Sequence, residues 1–367
     1  MRAAVHRLAA AGPADVAPLL DGIASGRIDP RAIVAILGKT EGNGCVNDFT
    51  RGYATLALKT ALARSLGEAL ETTERRVAFV MSGGTEGGLS PHWLVFEARE
   101  DETPPAGSAK ALALGIAFTR EFAAEEIGRL AQIEATASAV REAMEKARII
   151  SPDDVHYVQV KCPLLTKSRI AEAASRGKSV ATEDSYVSMG YSRGASALGV
   201  ALALGEVAQA QLSDAVICRD VALYSSRAST SAGVELMANQ VMVVGNSAAW
   251  SGDLAIGHGV MRDAIDVAAI AAALDSLAIA PRLPLAEDER MRIAAVLAKA
   301  EPSRAGLIRG HRHVMLDDSD IHGSRHARAF VGGVLAGIFG DTRLFVSGGA
   351  EHQGPDGGGP VAVIARR

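Results

Sequence analysis

Arg31-Ala-Ile-Val-Ala-Ile-Leu-Gly-Lys39, Asp153-Asp-Val-His-Tyr-Val-Gln-Val-Lys161 and Met291-Arg-Ile-Ala-Ala-Val-Leu-Ala-Lys299 are three apolar, strand-like runs, and each closes on a lysine. An arginine follows each: Thr50-Arg51-Gly52, Ser192-Arg193-Gly194 and Ser324-Arg325-His326. A serine follows a further strand-like stretch: Val80-Met81-Ser82-Gly83, Ser226-Arg227-Ala228-Ser229-Thr230 and Phe345-Val346-Ser347-Gly348. Self-similarity of this kind fixes an architecture before any local propensity does. Around each triplet the hydrophobic pattern reads β-α-β-α-β-β. The expected fold is α/β, with three structurally similar α/β repeat domains around a pseudo-threefold axis. Their spans are 1–104, 109–248 and 253–367, with Pro104-Pro105-Ala-Gly-Ser108 and Ser247-Ala-Ala-Trp-Ser-Gly252 as linkers.

The 367 residues are 48% hydrophobic and only 4% aromatic, so the cores are built from Ala, Val, Leu and Ile. Net charge is −4, which argues against nucleic-acid or membrane-surface binding driven by bulk charge. No apolar run reaches the ~18–20 residues of a membrane span. The start, Met1-Arg-Ala-Ala-Val-His, lacks the apolar centre of a signal peptide. Cys45, Cys162 and Cys218 are far apart and not in metal or redox spacing. The expectation is a cytoplasmic protein without disulfides.

The repeated residues carry chemistry. A lysine at the end of an apolar strand loses pKa on burial and can act as a general base. Lys161 has the most apolar flanks, with Val158, Val160, Cys162 and Leu164. Arg51, Arg193 and Arg325 read as helix-start arginines that converge on one ligand. The glycines in Ser82-Gly-Gly-Thr-Glu-Gly-Gly88 and Ser347-Gly-Gly-Ala350 let backbone N–H groups grip a carbonyl or an oxyanion. Gly190-Tyr-Ser192-Arg-Gly194 matches the G-x-S-x-G nucleophile elbow, but its repeat position makes Ser192 an expected N-cap, like Thr50 and Ser324. His311, His313, His322 and His326 cluster without metal-site spacing and read as loop residues. Glu301 and the glycine-rich tail from Ala350 could direct one carboxylate and several carbonyls at a hard cation.

The Lys/Arg/Ser set, Ser82-Gly-Gly-Thr-Glu-Gly-Gly, Ser229-Thr-Ser-Ala-Gly233 and Ser347-Gly-Gly-Ala-Glu-His-Gln-Gly-Pro355 together resemble the cyanuric acid hydrolase/barbiturase family over essentially the whole chain. The resemblance implies hydrolytic opening of a small cyclic imide in one central site. It implies Ser229 as nucleophile and Lys161 as its base, with Lys39 and Lys299 as auxiliary lysines. It implies substrate binding by Arg51, Arg193 and Arg325 with Ser82, Gly83, Ser229, Thr230, Ser347 and Gly348. It implies a structural divalent cation, magnesium or calcium, at Glu301, Ala350, Gln353, Gly354, Pro355 and Gly358, no organic cofactor, and a homotetramer. The preferred substrate is cyanuric acid, opened to carboxybiuret. The alternatives are barbituric acid as substrate, or a protein that only binds a small trigonal ligand.

Overall fold

A computed structural model describes residues 1–101, 109–280, 282, 284–317 and 320–367. The expected first linker, 104–108, lies outside the described residues. The first repeat contains β1 (Arg2–Ala9), α1 (Ala17–Ala24), β2 (Ile33–Thr40), α2 (Phe49–Leu66), α3 (Leu70–Arg76), β3 (Ala78–Gly83) and β4 (His92–Arg99). The second contains β5 (Ala111–Phe118), α4 (Leu130–Lys146), β6 (Val155–Pro163), α5 (Lys167–Ser175), α6 (Ser185–Ala203), β7 (Ala228–Gly233) and β8 (Gln240–Ser247). The third contains β9 (Leu254–Met261), α7 (Val267–Asp275), α8 (Glu287–Arg292), β10 (Ile293–Ala300), β11 (Leu307–Ile308), β12 (His311–Arg312), α9 (Gly323–Phe339), β13 (Phe345–Gly348) and β14 (Gly359–Arg366).

The three large sheets share one topology. Their strand orders are β1-β4-β2-β3, β5-β8-β6-β7 and β9-β14-β10-β13. In each, the lysine strand runs parallel to the serine strand and antiparallel to the last strand of its repeat. A register shift falls near the start of every lysine strand, at Ile33/Ala35, Val155/Tyr157 and Ile293/Ala295. The architecture is the expected one: three similar α/β units.

Strand alternation decides what faces the centre. In β2, Ala35 and Leu37 belong to an apolar cluster shared by all three repeats, whereas Ile33 and Ile36 pack in the first repeat's own cluster. In β10, Ala295 and Leu297 face the shared cluster, while Val296 and Ala298 face the third repeat's. Lys39 and Lys299 continue the inward parity. Ala78 and Val80 in β3, and Phe345 in β13, likewise put Ser82 and Ser347 on the central face. A strand buried on both faces needs an apolar run, which β2 and β10 show in sequence and β6 shows with His156 and Gln159 set into it.

Helix boundaries differ from the expectation. Asp48 caps α2 by accepting from Thr50 N, and Asp184 caps α6 by accepting from Tyr186 N and Val187 N. His322 caps α9. Thr50, Ser192 and Ser324 are therefore not N-caps. Arg193 lies two turns inside α6, so the helix-start reading fails for it. The cause is local chemistry: an aspartate side chain nearer the start of the apolar-periodic segment captures the free N–H groups first.

Candidate active site

The three lysines are essentially without solvent contact, with Lys39 and Lys299 0% and Lys161 1% exposed. They reach across the pseudo-threefold axis in a closed cycle. Lys39 Nζ donates to Val346 O at 2.8 Å, Lys299 Nζ to Thr230 O at 2.6 Å, and Lys161 Nζ lies 3.4 Å from Met81 O. Each acceptor immediately precedes one residue of a set: Ser82, Ser231 and Ser347. The strand register gives the same set, pairing Lys39 with Ser82, Lys161 with Ser231 and Lys299 with Ser347.

This corrects the expected equivalence of Ser229 with Ser82 and Ser347. Ser229 pairs instead with Gln159, two residues earlier, which places it about 6–7 Å down the strand. It is fully buried, Gln159 Nε2 donates to its carbonyl at 2.8 Å, and the Tyr157 hydroxyl lies beside its side chain. Ser231 Oγ and Ser347 Oγ are 3.1 Å apart, and Lys299 Nζ is 3.2 Å from Ser347 Oγ. Ser82, Ser231 and Ser347 retain 5%, 7% and 3% of their surface, so they line the same buried centre.

A second cycle surrounds the first. Arg193 Nε and Nη2 donate to Glu351 at 2.8 and 2.6 Å, and Arg328 Nε and Nη2 donate to Glu86 at 2.9 and 2.5 Å. Each arginine meets the glutamate four residues beyond the next repeat's serine. The pattern Ser82-Gly-Gly-Thr-Glu86, Ser231-Ala-Gly-Val-Glu235 and Ser347-Gly-Gly-Ala-Glu351 carries it, and would have found Ser231 in the sequence. The third-repeat arginine of this cycle is Arg328, 5% exposed, one helical turn beyond the expected Arg325. Arg325 Nε lies 3.7 Å from Glu86, and its side chain is 37% exposed. Arg51 departs from the pattern. Its Nη1 donates to Ala232 O at 2.9 Å and its Nη2 to Cys45 O at 2.8 Å, with Asp48 3.5 Å from its Nε. Glu235, its expected counterpart, pairs with Lys161 Nζ at 2.9 Å.

The middle glycine of each Ser-x-Gly-x-Glu segment is needed for close approach. Gly84 and Gly349 adopt φ of +83° and +76°, where a side chain is strained. A Cβ at Gly349 would lie 2.5 Å from the Arg193 guanidinium. Gly83 O and Gly348 O each accept from the lysine of their own repeat at 3.2 Å. Thr230 N donates to Gln353 Oε1 at 2.7 Å and its hydroxyl to Arg193 O at 3.1 Å.

Burial acts on every charge here and wins at the lysines. It pushes the Lys39 ammonium well below its usual value, aided by Arg328, and brings Lys299 to about 7, aided by Arg193. It lowers Lys161 too, but Glu235 opposes it. Burial would raise Glu235, yet Lys161 and Arg51 outweigh it and hold that carboxyl near 2. Burial and the Glu351 charge push Glu301 up to about 7. Glu301 accepts from Gly349 N at 2.8 Å and Ala350 N at 3.2 Å. Gln353 Nε2 donates to Gly349 O and Glu351 O, Gly358 N to Pro355 O, and Gly354 turns at φ +95°. Among the described residues, no group of three or more His, Cys, Asp or Glu could hold a metal. The Glu301 loop offers a different donor set: one buried carboxylate with amide and backbone oxygens, which suits a hard cation. A cavity of about 340 Å³, with Tyr186, Met189, Arg193, Glu301, Arg328 and Glu351 among its walls, opens beside this ring of charges. No described helix is long and apolar enough to cross a membrane.

Residues 4–366 match the family described as amidohydrolase ring-opening protein. A cyanuric acid amidohydrolase of Ectopseudomonas oleovorans is 58% identical over 366 residues, covering 100% of both chains. One from a Bradyrhizobium species is 59% identical over 368 residues, covering 100% of this chain and 98% of the relative. A solved cyanuric acid hydrolase superposes with a TM-score of 0.95 at 54% identity, covering 100% of this chain and 99% of that one. The enzyme from A. caulinodans superposes with a TM-score of 0.90 at 56% identity, with the same coverage.

Proposed function

The chain belongs to the family of ring-opening amidohydrolases, and from that membership we propose that it hydrolyses one ring C–N bond of cyanuric acid, giving carboxybiuret. The observation that carries the proposal is the lysine cycle: three lysines and three serines arranged alike around one buried centre. Cyanuric acid has three carbonyls and three N–H groups in threefold symmetry, so each repeat can offer one carbonyl the same set of donors.

Only one bond is cut, so one repeat must differ. The second does: it has Ser231-Ala232 where the others have Ser-Gly, and among the described residues its lysine alone of the three has a carboxylate within hydrogen-bond reach. The proposed nucleophile is Ser231, with Lys161 as base, in place of the Ser229–Lys161 pairing expected from the sequence. Neutral Lys161 accepts the Ser231 Oγ proton, and the alkoxide attacks a ring carbonyl. Lys39, Lys299 and the N–H groups after the serines stabilise the oxyanion. The Lys161 ammonium then protonates the departing ring nitrogen, and water releases the acyl group from Ser231. Arg51, Arg193 and Arg328 fix the walls of the site, the last two through their glutamates. Glu301 with the 350–358 loop would hold a magnesium or calcium ion, which would neutralise charge and brace the loop. A homotetramer in the cytoplasm is the proposed setting.

The test compares purified variants on cyanuric and barbituric acid. Ser231→Ala is expected to abolish turnover, with Ser229→Ala retaining it, and cyanuric acid is expected to be the faster substrate. An active Ser231→Ala, or faster turnover of barbituric acid, would overturn the proposal.

A further inference from the structure

Glu235 breaks the threefold pattern, and the sequence explains why. The residue three positions before each ring arginine is Asp48 in the first repeat, Gly190 in the second and Arg325 in the third. Of the three, Arg51 therefore has an acid one helical turn before it, with Asp48 Oδ2 3.5 Å from its Nε. Glu86 and Glu351 are each held by two nitrogens of an arginine, whereas Glu235 is left to pair with Lys161 at 2.9 Å.

The pair also has a route outward. Lys161 and Glu235 line a cavity of about 180 Å³ between the first and second repeats, with Thr55, Lys59 and Phe79 among its walls. Glu235, Glu74 and Gln240 also line an adjoining cavity of about 550 Å³. The Lys161 side chain is 1% exposed and that of Glu235 is 23% exposed, so the carboxylate spans buried centre and solvent. Lys39 and Lys299 donate instead to backbone carbonyls, and Lys299 also to a serine hydroxyl.

Resting on the Lys161–Ser231 reading, we propose that Glu235 is the positioning residue of the reacting repeat: it orients Lys161, and its carboxylate draws the surplus proton of Lys161 to solvent through the cleft between repeats one and two. The bookkeeping requires such an exit. Water adds across the C–N bond, giving an N–H on one side and a carboxylic acid on the other. That acid ionises near neutral pH, so each turnover leaves one proton in a buried site. It leaves Lys161 Nζ for water in the cleft that the Glu235 carboxylate lines, which returns neutral lysine beside an ionised carboxylate for the next cycle.

The experiment measures pH–rate profiles of the full chain and of Glu235→Gln, Glu235→Asp and Ser231→Ala, with melting temperatures as a check on folding. The charged and titratable groups facing the pair are Arg51 and Lys59 on α2, Glu74 on α3, Arg169 on α5 and Cys162 on β6, and none of them is altered. A carboxylate beside an ammonium raises its pKa, so its removal moves the acidic limb of kcat/KM to lower pH, by about one unit. Glu235→Gln is expected to lose about tenfold or more in kcat, with KM within about twofold. Glu235→Asp keeps the limb in place and recovers part of kcat; it carries the test if Glu235→Gln does not fold. A Glu235→Gln profile that superimposes on the parent's, or a loss of kcat with an unmoved limb, overturns the proposal. So does a Glu235→Asp protein whose limb shifts as far as the glutamine's. An active Ser231→Ala would instead overturn the dyad reading beneath it.

Discussion

Ser192 is the acceptor in a buried network: Gln132 Nε2 donates to it at 2.9 Å and to Ser196 at 3.1 Å, and Asn239 Nδ2 donates to Ser196 and Thr136. Its G-x-S-x-G surroundings lie within a continuous helix rather than at a strand-to-helix turn. Ser192→Ala is expected to keep turnover and lose about 0.5–1.5 kcal/mol of stability, the usual net worth of one such bond. Loss of turnover in a stable protein would revive the nucleophile elbow. Arg325 and Glu351 give a second contrast. Glu351→Ala strands a mostly buried guanidinium and should cost about 3–5 kcal/mol in urea unfolding, whereas Arg325→Ala, at a half-buried position 3.7 Å from Glu86, should cost about 1 kcal/mol or less. Lys39, Lys161 and Lys299 were legible because each ends an apolar run. The serine in repeat two was not, because Ser229 and Ser231 share a strand parity, and only the strand register or the glutamate four residues later separates them. Arg328 was hidden in the same way, by a second arginine one turn earlier.

At the scale of elements, the fold was more legible than its boundaries. Continuous apolar runs mark the central strands. The helix starts differ from the sequence expectation because Asp48 and Asp184, rather than the hydroxyl residues nearer the arginines, cap α2 and α6. Burying three lysines at strand ends has a consequence that titration can read. For Lys299 the folded pKa, about 7, lies below the unfolded value, so between roughly pH 7 and 10.5 the unfolded chain binds the extra proton. Stability contributed by this group therefore rises with pH across that window and is lowest below it. Lys299→Met removes the ammonium, so the slope of unfolding free energy against pH from 7 to 9 is expected to fall. An unchanged slope would mean that Lys299 titrates normally in the folded protein.

The whole molecule closes on itself. The largest apolar cluster draws Leu37 and Val80 from the first repeat, Tyr157 and Val243 from the second, and Leu297 and Phe345 from the third. No repeat buries its inward face alone, so urea unfolding should be one cooperative transition, and a fragment of residues 109–248 should not fold as a monomer. Separate transitions for the repeats would contradict a shared core. The same closure explains the site, since each lysine needs the preceding repeat's carbonyl and two of the ring arginines need the next repeat's glutamate. The most direct measurement is to trap the acyl-enzyme during turnover of cyanuric acid and sequence the labelled peptide by mass spectrometry. Modification of Ser231 is expected; modification of Ser229, Ser82 or Ser347 with Ser231 unlabelled would contradict the account.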